Sequence, residues 1–260
     1  MTASQLAGIE AAFDRYVCAF TENGKPLHPL LQLKVDHCRR VAREARDLSR
    51  SADWPQPDRR AAEALGLLHD VGRFPQFREF GTFADAASCD HGSRGRRVAA
   101  EAGWLDALPS PEREALLDGI GHHNRRLIPS DLAGGSLPLL RLIRDADKLD
   151  IYRIVLEALD RDGFRDLVDM LPDVDLGRSP SPHLAAEIRR HHTASLTSIR
   201  CLGDFLLMQL AWIYDFNHQP ALQTIASRNI IARLLVHLDP GPEVEALTAD
   251  IRSHLDHALA

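Results

Sequence analysis

Five stretches of this 260-residue chain carry side chains that could grip a metal ion: His37, the adjacent His69-Asp70, His91 in SCDHGSRG, the pair His122-His123 in GIGHHNRRLIP, and Asp147 in RDADKLD. Imidazole nitrogens and carboxylate oxygens together form a hard-to-intermediate donor set, suited to Mn, Fe, Co, Ni or Zn. Each residue has an ordinary reading when taken singly. His37 can be a satisfied core histidine, His69-Asp70 a structural hydrogen bond, His91 a surface residue behind a capping Ser88 or Asp90, and Asp147 the partner of a buried arginine. Their joint occurrence asks more, because several such readings would have to hold together.

Helices must position these groups. Apolar residues recur at three- and four-residue intervals through nearly the whole chain, and alternating β-branched runs are absent, which predicts an all-α fold. Helices are expected at Ser4–Phe20, Pro29–Arg50, Pro57–Asp70, His91–Ala102, Pro111–His123, Leu137–Leu159, His183–Phe216, Pro220–Leu238 and Pro242–Leu259, with Ser110 a capping hydroxyl before Pro111. Ligands built on helices stand where the wheel calls for apolar residues. His37 falls on the stripe of Leu30, Val41 and Leu48, opposite Arg39, Arg40, Arg43 and Asp47. His69 shares a face with Ala62 and Leu65. Asp147 projects from the face of Ile143, Ile151, Ile154 and Ala158, where an unpaired buried carboxylate costs several kcal/mol and so needs a cation. Asp145 points away from that face and could orient a neighbour, while Asp150 lies at its edge. Adjacent side chains diverge by about 100° on a helix. His69 and Asp70 therefore reach one ion only near the helix end, where Val71-Gly72 lets the chain leave.

Two connections stand out. Residues 71–90 form 20 residues without clear periodicity, with four phenylalanines directly after the His-Asp pair, and read as a functional loop. Asp160–Pro182 is rich in Asp, Pro and Gly and divides residues 1–160 from an extension, 161–260; Phe164, Leu167, Val168, Met170 and Leu171 suggest that it packs. The stretch Phe205–Tyr214 with Trp212 reads as a core helix or, alternatively, the surface of a homodimer. It is about half the ~20 residues a membrane helix needs.

Composition narrows the class. With 31 Lys and Arg against 37 Asp and Glu, the net charge of −6 disfavours a nucleic-acid binder, and no helix-turn-helix signal suggests DNA binding. The scattered Cys18, Cys38, Cys89 and Cys201 fit a reducing compartment, and the acidic N-terminal segment does not read as a secretory signal. A cytoplasmic protein without a membrane span is expected.

In order and context, His37, His69-Asp70 and Asp147 resemble the H…HD…D signature of the HD superfamily of metal-dependent phosphohydrolases. The blocks LLHDVGRFPQF, FGTF…DHGSRG and DGIGHHNRRLIP resemble those of a bacterial branch of HD proteins, so that the likeness covers roughly residues 27–160. It implies an all-α HD fold in which His37, His69, Asp70 and Asp147 bind one divalent ion. The binuclear members add two histidines, which by that pattern are His91 and His123, with Asp70 as the bridge. His123 is chosen over His122 because His123-Asn124 fits the branch's HN. The ions the resemblance allows are Mn, Fe, Co, Ni, Zn or Mg, one or two of them.

The implied reaction is hydrolysis of a small phosphorylated compound, nucleotides being the first class to test. Arg73 and Lys148 are the cations nearest the ligands for the charge that gathers on phosphoryl oxygens, and Gln76 and Asn124 are placed to orient the substrate. The phenylalanine-bearing segment could stack on a base or fill the mouth of the bundle. Two rival readings follow from the same superfamily: a diiron oxygenase with the same six-ligand order, and a nucleotide-sensing domain without turnover.

Overall fold

A computed structural model describes all residues except 22–24, 133–134 and 166–173, together with the side chain of Leu196. The described residues contain helices and no strand; the only β-type pairing among them is an isolated bridge between Asp175 and Cys201. The chain divides into two compact units, Met1–Asp150 and Ile151–Ala260, and the division falls inside one helix.

The first unit holds α1 (Ala3–Cys18), α2 (Pro29–Ser51), α3 (Gln56–Leu68), α4 (Arg73–Phe80), α5 (His91–Glu101), α6 (Ser110–His122) and the first half of α7 (Leu137–Asp162). Helices α2 and α3 pack along each other, as do α5 and α6, and α3 lies against α1 and α6. Gly66 allows the first contact: a Cβ there would stand 2.5 Å from the Ala42 Cα, so only hydrogen lets the α2 and α3 backbones meet. Start signals are local. Thr2 and Gln5 form a reciprocal capping box at α1, and the Asp90 carboxylate accepts from Ser93 N at α5. Ser110 does not cap α6; it lies inside the helix, whose cap position is Pro109.

Three further expectations are corrected. Residues 71–90 are not an irregular loop: Arg73–Phe80 is helical, ends on Gly81 in the left-handed region (φ 68°), and is followed by a 3-10 turn at Asp85–Ala87. Pro75 is tolerated because it stands in the first turn, where a backbone N–H has no helical acceptor. The expected helix His183–Phe216 is broken. It comprises α8 (Pro182–His191), closed by His192 at φ 56°, then α9 (Leu202–Ala211) and a 3-10 turn at Trp212–Asp215. Pro220–Leu238 likewise divides into α10 (Gln219–Ser227) and α11 (Ile230–Leu235), with Asn229 at φ 51° between them. A left-handed residue ends a helix whatever the periodicity around it.

The second unit is completed by α12 (Pro242–Leu259), which packs with α8, α9 and α10. All ten residues of α9 are buried, so Phe205–Ala211 is core. There Tyr152 donates its hydroxyl to Gln209 O at 2.8 Å. Buried Asp204 accepts from Ser181 N, Ser181 Oγ and Arg200 N, pinning the segment before α8 to the start of α9. Of the apolar residues expected to pack in the connection, Phe164 is buried, and Leu167, Val168, Met170 and Leu171 lie outside the described residues. No helix among the described residues is long and apolar enough to cross a membrane.

Candidate metal centre

Within the first unit, six side chains from five helices converge. His37 stands mid-α2, His69 caps the C-terminal end of α3, and Asp70 follows it. His91 is the first residue of α5, His123 caps the C-terminal end of α6, and Asp147 lies on α7. The chain leaves α3 through Gly72, where a Cβ would meet His91 O at 2.1 Å and Gly95 N at 2.6 Å. That close approach sets Asp70 against the start of α5.

The ligand-type atoms form two clusters sharing Asp70. On one side, His37 Nε2 lies 3.1 Å from Asp147 Oδ1, 3.2 Å from His69 Nε2 and 3.7 Å from Asp70 Oδ2. On the other, Asp70 Oδ1 lies 3.4 Å from His91 Nε2 and 3.6 Å from His123 Nε2, which are 3.1 Å apart. The combinations His37–His69–Asp70, His69–His123–Asp147 and Asp70–His91–His123 each have the compactness that holds an ion. His122 belongs to none of them.

The outer nitrogens decide what the inner ones can do. Nδ1 of His37 is 2.7 Å from Asp150 Oδ2, that of His69 is 2.7 Å from Gly66 O, that of His91 is 2.6 Å from Asp85 Oδ2, and that of His123 is 2.9 Å from Ile120 O. A carbonyl or carboxylate oxygen only accepts, so each Nδ1 carries a proton, and a ring without a second proton turns its Nε2 lone pair inward. Four lone pairs and two carboxylates then face one another, and Asp147 Oδ1 is buried without a hydrogen-bond partner. Acceptors crowded this closely need a cation between them. The donor set therefore fits one or two divalent ions, with a carboxylate or carbonyl behind every histidine as metal sites favour.

Electrostatics agree. Burial pushes the Asp70 carboxyl up, but Lys34, the neighbouring imidazoles and Arg73 hold it well below the usual carboxylate range. Burial drives His69 down, and takes His91 down to about 4 with help from Arg73. His37 goes the other way: burial lowers it, yet Asp147 and Asp150 raise it more. A proton and a cation thus compete for that nitrogen.

The remaining expected residues divide. Arg73 opens α4 with Nε buried, without a hydrogen-bond partner and 3.5 Å from Asp70 Oδ1; its Nη1 donates to Gln76 Oε1, Phe83 O and Asp85 Oδ1. Gln76 is fully buried, and its Nε2 donates to Asp85, Ser88 Oγ and Cys89 O. Both ends of that carboxamide are engaged, so it braces the Asp85 turn and does not face a substrate. Asn124 Nδ2 lies 3.3 Å from both Asp85 Oδ2 and Asp90 Oδ1, behind His91, and its Oδ1 is buried without a partner. Lys148 follows Asp147 on α7 and is buried.

Four contributors escaped sequence reasoning. Asp150, three residues after Asp147 and so on the same face of α7, is the carboxylate that orients His37. Arg40, expected opposite the stripe, clasps it with Nε–Oδ1 at 2.6 Å and Nη2–Oδ2 at 3.0 Å. Asp85 does the same for His91 from a turn with no periodicity to reveal it. Lys34 donates to Asp70 Oδ2 at 2.8 Å, and its signal was its place one helical turn before His37.

No curated protein and no solved structure matches the chain. The family model described as HD domain matches residues 35–152, a span that contains all six converging residues. That part of the chain, whose described elements are all helical and which carries a histidine–aspartate cluster compatible with metal binding, is an HD domain.

Proposed function

We propose that the protein is a metal-dependent phosphohydrolase acting on a small phosphorylated molecule, with nucleotides the first class to test. The observation that carries the reading is the convergence of four inward Nε2 atoms on Asp70 and the orphaned Asp147 Oδ1. Divalent ions held by His37, His69, Asp70, His91, His123 and Asp147 would lower the pKa of a bound water and draw charge from a phosphoryl oxygen. Asp70 offers one oxygen to each cluster, which makes it the common element of the site. Arg73, tethered through Nη1 with its Nε 3.5 Å from Asp70 Oδ1, would steady a nonbridging phosphoryl oxygen, and Lys148 is the second cation given that role. Asn124 orients His91 and, with its free Oδ1, a polar group of the substrate. Gln76 positions Arg73 and Asp85. Cys18, Cys38, Cys89 and Cys201 are all free thiols, in keeping with a cytoplasmic setting for this activity.

The test is phosphate release by the purified chain, loaded separately with Mn, Co, Zn and Fe, from an aryl phosphate and a panel of nucleotides. Turnover lost in Asp70→Ala supports the proposal. Failure on every substrate with every metal overturns it; substrate-dependent oxygen uptake by the iron form would replace it with the diiron oxygenase. Nucleotide binding that survives intact in Asp70→Ala would replace it with the sensor.

A further inference from the structure

Asp70 already has a cation on it. The Lys34 ammonium donates to Oδ2 at 2.8 Å from a side chain 11% exposed, and lies 5.5 Å from the Phe83 ring centroid. Oδ2 is the oxygen that faces His37 and His69, at 3.7 and 3.9 Å. An ammonium and a metal ion on that side therefore seek the same lone pairs. The residue type matters: only three of the 31 basic residues are lysines. An arginine grips a carboxylate through a planar fork, as Arg40 grips Asp150, whereas a lysine is a single point charge on a flexible stem and is exchanged more readily.

We propose that Lys34 is a built-in competitor for the metal, paired with Asp70 until a divalent ion takes Oδ2 and then passed to an anionic group of the ligand beside Phe83. The inference rests on the metal-centre reading above. Arg73 Cζ is 5.8 Å from the same ring centroid, so two cations flank Phe83 at the edge of the site. Linkage requires reciprocity: if displacing Lys34 costs metal affinity a given factor, an anion that captures the released ammonium raises metal affinity, and the metal raises anion affinity equally.

The experiment is calorimetric titration of the metal-free full-length chain with Mn2+, then with inorganic phosphate in the presence and absence of Mn2+. Lys34→Met is expected to bind Mn2+ about tenfold more tightly and to lose about tenfold of the Mn2+-dependent gain in phosphate affinity. Arg94→Met removes an equal charge from α5, where Arg94 pairs with Glu79 and not with Asp70, and is expected to bind Mn2+ as the wild type does. Unchanged or weaker Mn2+ binding by Lys34→Met overturns the proposal. Equal tightening by Arg94→Met also does, because the general field would then be responsible. Should Lys34→Met fail to fold by circular dichroism, Lys34→Arg takes its place: it is expected to bind Mn2+ no more tightly than wild type, and tightening overturns the idea. Wild-type protein that takes up no Mn2+, Fe2+ or Zn2+ would instead sink the metal-centre reading, before any variant is compared.

Discussion

The two halves of the candidate metal centre are built alike but supported differently. Each has one histidine backed by a carboxylate and one at a helix C-terminal end backed by its own carbonyl three residues earlier. In the His37 half the backing carboxylate is Asp150, on a long helix, with a side chain 3% exposed and gripped by Arg40. In the His91 half it is Asp85, 35% exposed on a 3-10 turn and held by Arg73 and Gln76. The first half also has the extra donor Asp147. The same chemical device is buried where a helix carries it and partly exposed where a turn does. Occupancy should therefore be stepwise, the His37 half filling first.

The harshest way to break the comparison is Asp70→Ala, which takes an oxygen from both halves. Metal content should drop to background and turnover with it, beyond the roughly 10–100-fold that losing an outer-layer partner costs; elemental analysis and phosphate release check this. Asp150→Asn and Asp85→Asn separate the halves. The first should weaken metal binding about 100-fold and the second about tenfold, with Asp85→Asn retaining one equivalent of metal by elemental analysis. Loss of both equivalents in Asp85→Asn would erase the distinction.

Acid sharpens it further in the metal-free protein. His91 is depressed to about 4 and His69 is lowered, both chiefly by burial, so unfolded chains take up these protons first as pH falls. The stability they contribute is complete above the ordinary histidine value of 6.5 and is lost as pH drops towards 4. His37, raised by Asp147 and Asp150, contributes with the opposite sign. Denaturant titrations from pH 7 to 4.5 should show a net decline, steeper in His37→Gln, which removes the opposing term. The smallest effect is expected from Ser88→Ala. Its hydroxyl accepts from Gln76 and donates to Ala84 O, so its loss should cost about 1 kcal/mol and loosen only the second metal equivalent by a few-fold in titration.

Legibility in the sequence followed the same division. His37 and Asp147 announced themselves by interrupting apolar stripes, and the site's longer helices were readable from their period. Helix α4 was obscured by Pro75 and by aromatic residues that resemble a lining, although Phe74, Phe77, Phe80 and Phe83 recur every third residue. The breaks after α8 and α10 depend on left-handed His192 and Asn229, a backbone choice that side-chain patterning does not encode. Outer-layer partners were least visible, because pairs such as His37 with Asp150 are joined only by the tertiary fold. Gln76 illustrates the converse, a polar residue near the ligands whose groups turn out to be occupied.

His69 and His123 each sit at the end of a helix, α3 and α6, whose last carbonyls carry the negative pole of the backbone macrodipole, roughly half an elementary charge apiece. Both helix ends lie beside the shared carboxylate, with His69 Nε2 3.9 Å and His123 Nε2 3.6 Å from Asp70. Part of the potential that draws cations inward thus comes from peptide groups, beyond the reach of side-chain substitution, and variants of a single histidine ligand, unlike Asp70→Ala, should keep a residual attraction for divalent ions even where chemistry has ceased.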